Sequence, residues 1–381
     1  MGRIGHHLQV IASDGQHDSK HYWLVQAFLS VLSVIYGGAQ KLHRDIYHFG
    51  LRPVHQLPCA VISIGNLIAG GTGKTPMTHF IATLSQSLGY EVVVISRGYR
   101  GRAERCGGVV SDGVTLLMSS ENGGDEPVLL ASVMPGIPVL VGRDRFRSGL
   151  LGIDQFKPDV IILDDGFQHL KLKRDLDILL LDGCRPFGNG HLLPRGKLRE
   201  LPTAIQRADA VILTRTDSGE IPLASVNRYL ADRPLFRSSH QPVVESVLPP
   251  GRRASLLDTG KRVDQNKLHR RRVYAFSGIV RNDDFRRSIH RLGATIVGHQ
   301  VFPDHYKYRL RDFSIISREA VAAESDCIVT TAKDYVRIGQ QVSFPLELVV
   351  VNVVMSFDDN RFDAFIVDQL ASIIRKKGAR S

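Results

Sequence analysis

From residue 58 onward the chain repeats one pattern: a short, continuous apolar run followed by a segment of helix length. The runs are AVISI (60–64), EVVVIS (91–96), PVLVG (138–142), VIIL (160–163), DILLL (177–181) and AVILT (210–214). None alternates apolar with polar residues, so each strand must be buried on both faces. Strands of that kind, separated by helix-length segments, predict an α/β fold with a parallel sheet and helices on both sides. Residues 234–272 change character. They are rich in Pro, Ser and Arg, and read as a connector that is strand-like near Val243–Val247. The pattern then resumes with VYAFSGI (273–279), TIVGHQVF (295–302), CIVTT (327–331) and LELVVVNVV (346–354), with helices expected at 283–292, 311–324 and 361–377. The expected division is a polar extension (1–21), an apolar helix (22–45), a first α/β domain (46–233), the connector, and a second, smaller α/β domain (273–381).

The first run leads into GGTGKTP (70–76). The usual phosphate-binding loop reads G-x-x-x-x-G-K-[ST], and Ile68 stands here where its first glycine belongs. Gly70, Gly71, Thr72, Gly73, Lys74 and Thr75 nevertheless lie between a strand and a helix. Small residues there let backbone N–H groups turn onto phosphate oxygens at a helix N-terminus. Lys74 suits the β- and γ-phosphates of ATP, and the Thr75 hydroxyl suits Mg²⁺. Partition-type ATPases carry a further lysine just before the paired glycines, and Ala69 occupies that place. A second metal contact is expected from VIILDDGFQH (160–169), where a buried strand ends in Asp164 and Asp165. Open α/β sheets bind ligands at such strand ends.

A net charge of +11 favours a polyanionic partner: nucleic acid, an anionic membrane or a phosphorylated substrate. The chain has no arginine-rich arm, zinc-finger spacing or aromatic-basic RNA signature, which sets nucleic acid aside. Cys59, Cys106, Cys184 and Cys327 are dispersed and form no CxxC, as expected of buried thiols in a reducing compartment. From Tyr22 to Gln40 there is no charged residue. Gln26, Ser30, Ser33, Gly37 and Gln40 fall on one stripe of a helix, with Trp23, Leu24, Phe28, Leu29, Val31, Leu32 and Ile35 around the rest. This pattern predicts a helix lying in a membrane interface, with Trp23 and Tyr36 at headgroup level. A buried core helix is the alternative. A cleaved signal peptide is not expected, because a polar stretch precedes the apolar one.

The segments IGNLIAGGTGKTP, GDEP (124–127), DDGFQHLKLKRDLDILLLD (164–182), FGNGHLLPRGKLRE (187–200) and FPDHYKY (302–308) occur in that order. Together they closely resemble the tetraacyldisaccharide 4'-kinases, the lipid A 4'-kinases of Gram-negative bacteria. The resemblance runs from about residue 22 to the C-terminus. It implies a P-loop kinase on the cytoplasmic face of the inner membrane, using ATP and Mg²⁺ to phosphorylate the 4'-hydroxyl of an acylated disaccharide 1-phosphate. Carried over by position, Asp125 matches the base for the sugar hydroxyl and Glu126 a Mg²⁺ contact. Lys74 and Thr75 match the loop pair, and Asp164 and Asp165 the double acid. Gln168, His169, Arg199 and Glu200 match substrate-side residues, and His305 a histidine from the second domain. On this reading His305 assists Asp125 and the two domains close over substrate. Two departures stand out: Leu201 precedes the proline after Arg199 and Glu200, and Ala332 replaces a common glutamate in VTTAKDYVRI (329–338). Arg143 and Arg145 fit either a phosphate-facing role or surface ion pairing. The rival readings are a soluble small-molecule kinase, a GTPase-like metallochaperone and a membrane-associated partition-type ATPase.

Overall fold

The computed structural model describes residues 22–217, 219–251, 263–338 and 342–379. The polar extension 1–21 and residues 252–262 of the connector lie outside that range. The chain packs into two compact units assembled from separate segments. One takes the chain through Lys74, Asp159–Ser239 and the end from Phe357; the other takes Thr75–Pro158 and His240–Ser356. The linear partition expected at 46–233 and 273–381 is a different division of the chain.

In the first unit, β1 (Ala60–Asn66) lies between β5 (Val160–Asp164) and β6 (Leu176–Asp182), parallel to both. The parallel order continues through β7 (Ala210–Thr214) to β8 (Leu235–Leu248). Every residue of β1, β5, β6 and β7 is buried, which is why their sequences run apolar without alternation. Gly65 at the end of β1 is required by close approach. A Cβ there would sit 2.4 Å from Cβ of Phe167, so the glycine lets the DDGFQH turn pack on the strand. The N-terminal helix α1 (Tyr22–His48) and the C-terminal helix, Arg361–Gly378, belong to this unit.

The second unit contains α2 from Thr75 (the helix spans Lys74–Ser87), β2 (Val92–Ser96), β3 (Gly108–Ser111), α3 (Ser120–Gly123), α4 (Asp125–Val133), β4 (Val139–Val141) and α5 (Arg145–Phe156). After α6 (Leu223–Leu230) of the first unit, the second unit continues with β9 (Arg272–Ser277), α7 (Asn282–Arg291), β10 (Thr295–Val301), α8 (Leu310–Ala322), β11 (Cys327–Thr331), α9 (Ala332–Ile338) and β12 (Glu347–Phe357). The last α-helix, Arg361–Gly378, is α10. Strands β10, β9, β11 and β12 pair in parallel in that order.

Three features depart from the sequence reading. The short strand β3 pairs antiparallel with β4 and is only half-buried over its first two residues, so it carries no continuous apolar run. The first part of the connector is strand over a longer range than the expected Val243–Val247, because residues 235–248 form a single long strand. The thiols are not uniformly buried either: Cys327 is buried, Cys59 and Cys184 are half-buried, and Cys106 is exposed. Burial raises the thiols of Cys59 and Cys327 to about 11.

Candidate active site

The phosphate loop leaves the C-terminal end of β1 and is held from two strand ends. Asn66 donates from its amide to Thr72 Oγ1 (2.7 Å) and to the Gly70 carbonyl (3.3 Å). Thr214 at the end of β7 donates its hydroxyl to the Thr72 carbonyl (3.0 Å). Arg215 bridges the Asp182 carboxylate and the Gly71 carbonyl. Gly70 and Gly73 both adopt positive φ (129° and 88°), conformations that a side chain would resist. Lys74 opens α2, and its ammonium lies 3.6 Å from Asp165.

Asp165 is the hub of a small cluster. Both of its oxygens accept from Arg199 Nη1 at 2.9 Å. Gln168 stands beside Arg199 (3.5 Å) and donates to the Asn66 carbonyl (2.9 Å). The structure thus brings Lys74, Asp165, Gln168 and Arg199 together within one unit. Asp164, at the last position of β5, is 1% exposed. Glu200 instead pairs with Arg207 (3.0 Å), whose guanidinium lies over the Phe167 ring. The His169 carbonyl accepts from Arg174.

In the second unit, Gly124 turns the chain into α4 with φ of 91°, and its missing Cβ lets the backbone pass close to the Tyr99 carbonyl. Asp125 and Glu126 then occupy the first turn of α4, where the helix dipole favours carboxylates. His305 Nδ1 lies 3.0 Å from Asp125 Oδ2, and its Nε2 lies 3.6 Å from Asp304. Arg337 donates from Nε to the same Asp125 oxygen at 2.7 Å. Its other end bonds the Gly278 carbonyl (2.8 Å) and Asp334 (3.1 Å). Asp334 is fully buried and also accepts from the Gly278 amide, the Tyr308 hydroxyl and the Thr331 hydroxyl. Burial raises the Asp125 carboxyl, but the His305 hydrogen bond and the Arg337 charge outweigh it and hold it below the usual aspartate range. Lys333, one turn before Arg337, lies 3.6 Å from Glu126.

Sequence reasoning missed Arg337 and Asp334. The available signal was the spacing in AKDYVRI, which puts Lys333 and Arg337 four apart on one helical face. Ala332, the departure in that segment, is buried at the start of α9. Arg145 does not face outward: it is 4% exposed and donates to the Gly142 carbonyl (2.8 Å), while Arg143 is exposed.

Helix α1 places its polar stripe against the protein. Ser33, 8% exposed, donates to the Leu192 carbonyl (2.8 Å) and accepts from the Arg195 amide (3.1 Å). Tyr36 spends its hydroxyl on the Arg199 carbonyl (3.2 Å) rather than at a headgroup level, and Gln40 donates to Tyr36. The stripe docks on the protein because its donors complete backbone groups of the 192–199 loop. The apolar residues point outward instead: Trp23, Phe28, Val34 and Ile35 are all more than 60% exposed. Among the described residues, that exposure is not the burial a core helix would show. Trp23–His48 is long and apolar enough to cross a membrane, with 11% of its most apolar window buried.

A family model for tetraacyldisaccharide-1-P 4'-kinase matches residues 25–371. A tetraacyldisaccharide 4'-kinase of Syntrophus aciditrophicus is 43% identical over 86% of this chain and 88% of its own length. One from Geobacter metallireducens is 42% identical over 84% and 90% respectively. Among solved structures, LpxK from Aquifex aeolicus in complex with ATP is 30% identical, with a TM-score of 0.74 over 91% of this chain and 99% of that one. The match spans the phosphate loop, the Asp165 cluster and the Asp125–His305 pair, and the chain belongs to the tetraacyldisaccharide-1-P 4'-kinase family.

Proposed function

We propose that this protein transfers the γ-phosphate of ATP to the 4'-hydroxyl of a tetraacyldisaccharide 1-phosphate in lipid A biosynthesis. The observation that carries this reading is the phosphate loop at the end of β1, with Lys74 beside Asp165, in a chain matched by the family over residues 25–371. Loop N–H groups and the Lys74 ammonium hold the β- and γ-phosphates. Asp125 accepts the proton of the attacking hydroxyl, and His305 orients its carboxylate and shares that proton. Arg199 and Gln168 support Asp165 from the substrate side, with His169 and Glu200 in the same loops.

Mg²⁺ takes hard oxygen ligands and needs only one or two carboxylates when phosphates complete its shell. Asp164, Asp165 and the Thr75 hydroxyl are donors of that type, so the residues present fit the ion. When bound, it neutralises charge developing on the β- and γ-phosphate oxygens. Asp165 would serve as a ligand by loosening its pair with Lys74.

The outward apolar face of α1 supports residence at an anionic membrane surface, on the cytoplasmic side where ATP is present, as a monotopic or peripheral protein. That face is what a soluble small-molecule kinase would lack. The deciding assay combines labelled ATP, Mg²⁺ and tetraacyldisaccharide 1-phosphate. Label in the lipid is the expected outcome; label released only as inorganic phosphate overturns the reading.

A further inference from the structure

Three consecutive carbonyls of the phosphate loop are each held by a side chain from a strand end. Gly70 is held by Asn66 of β1, Gly71 by Arg215 just after β7, and Thr72 by Thr214 at the end of β7. These tethers are buried: Asn66 and Thr214 have no exposed surface, and Arg215 is 7% exposed. Arg215 is itself fixed at both ends. Its backbone sits at φ of 57°, and its guanidinium is clamped by the buried Asp182 carboxylate at the end of β6. Thr72 is gripped twice, through its carbonyl and its hydroxyl.

A trans peptide unit points its C=O and its N–H in opposite directions. Fixing the carbonyls of Gly70, Gly71 and Thr72 therefore also fixes the N–H groups of Gly71, Thr72 and Gly73, each away from the side chain that holds its carbonyl. Loop glycines are costly to order because they are the freest residues in the unfolded chain. A loop held by its carbonyls carries that cost before ligand arrives, and so binds with less loss.

We propose that Asn66, Thr214 and Arg215 are positioning residues that prefold the phosphate loop, aiming the Gly71, Thr72 and Gly73 amides at the phosphates of ATP. Arg215 acts through the Gly71 carbonyl, with its charge balanced by Asp182. The proposal deepens the kinase reading, resting on the loop as the ATP site but not on the identity of the acceptor.

The test measures the Kd of labelled ATP by equilibrium dialysis on the full-length protein, alongside KM and kcat with the lipid acceptor. Arg215→Met is expected to weaken ATP binding about 10- to 100-fold, as loss of a charge-assisted hydrogen bond would. KM for lipid should change little, since the tethers act on the nucleotide loop. Arg215→Lys keeps the charge but cannot span both partners, and should recover only part of the affinity. Thr214→Val removes one hydroxyl at constant shape and should cost about 2- to 10-fold in ATP affinity. It decides the matter should Arg215→Met fail to fold. Unchanged ATP affinity in Thr214→Val, full recovery by Arg215→Lys, or lower turnover with unchanged KM for ATP would each overturn the proposal. Failure of the unsubstituted protein to label lipid would sink the acceptor assignment and leave the ATP affinity series intact.

Discussion

Asp125 receives two hydrogen bonds on one oxygen, from a histidine and from a guanidinium that is itself anchored on a buried aspartate. A carboxylate held low by positive neighbours is ionised but weakly basic, so its value as a base depends on a group that can share the proton. Asp125→Asn should therefore lower turnover by about 10²- to 10⁴-fold while leaving KM for ATP nearly unchanged. His305→Ala should act in the same way, and the double variant should be little worse than Asp125→Asn alone. Steady-state kinetics on the three variants checks this; fully multiplicative losses would mean that the residues act independently. Lys74→Ala should lose turnover by orders of magnitude with the fold retained, as circular dichroism and an acceptor-transfer assay would register. Motif by motif, Asp125 and His305 were legible because each lies in a distinctive segment. Arg337 was not, because its partners are distant in sequence and only the fold makes α9 a neighbour of α4. The ion pair of Glu200 with Arg207 was not legible either, for a similar reason: nothing in LRE indicates it.

At the scale of elements, buried strands announced themselves because burial on both faces demands an unbroken apolar run. β3 escaped because an antiparallel strand that is only half-buried over its first two residues has no such demand. Helix α1 was legible in extent and amphipathicity, but a periodicity cannot state which face meets the protein. The polar stripe docks through Ser33 and Tyr36 on the 192–199 loop, and the apolar face is left outward. Replacing Phe28 and Val34 by aspartate should then weaken flotation with anionic liposomes while leaving ATP binding intact; unaltered flotation would place the anchor elsewhere. A second prediction concerns Glu245 on β8. Burial raises its carboxyl above the ordinary value of 4.5, against a hydrogen bond from Asn352 on β12. The folded state thus binds this proton more tightly than the unfolded chain. Its favourable contribution is complete below pH 4.5 and is lost as the pH rises through the raised value. Glu245→Gln should accordingly be more stable than the unsubstituted protein near neutral pH, with the advantage shrinking towards pH 4.5. Urea unfolding at several pH values would read this directly.

For the molecule as a whole, the first unit is closed by the last segment of the chain. Helix α10 brings Phe362, Ile366, Leu370 and Ile373 into its core. Phe362 stacks on Phe357 and meets Phe236 of β8 edge-on. Lys377 reaches Asp175 at 2.7 Å and the carbonyls of Leu57 and Cys59, just ahead of β1. The strand that delivers the phosphate loop is thus tied to residues more than 300 positions away. Burying four large apolar side chains contributes roughly 6–12 kcal/mol at about 1.5–3 kcal/mol each. That is comparable to the whole net stability of a typical domain, about 5–15 kcal/mol. Ending the chain at residue 356 should therefore abolish ATP binding although every phosphate-loop residue remains, and should expose the first unit to proteolysis. Lys377→Met is the milder companion: it leaves Asp175 without its ammonium and should cost about 1–3 kcal/mol. Its ATP affinity should persist at low temperature and fail at a lower Tm than that of the unsubstituted protein. Retention of ATP binding by the truncated chain would mean that α10 is dispensable and that the loop is organised by β1, β6 and β7 alone.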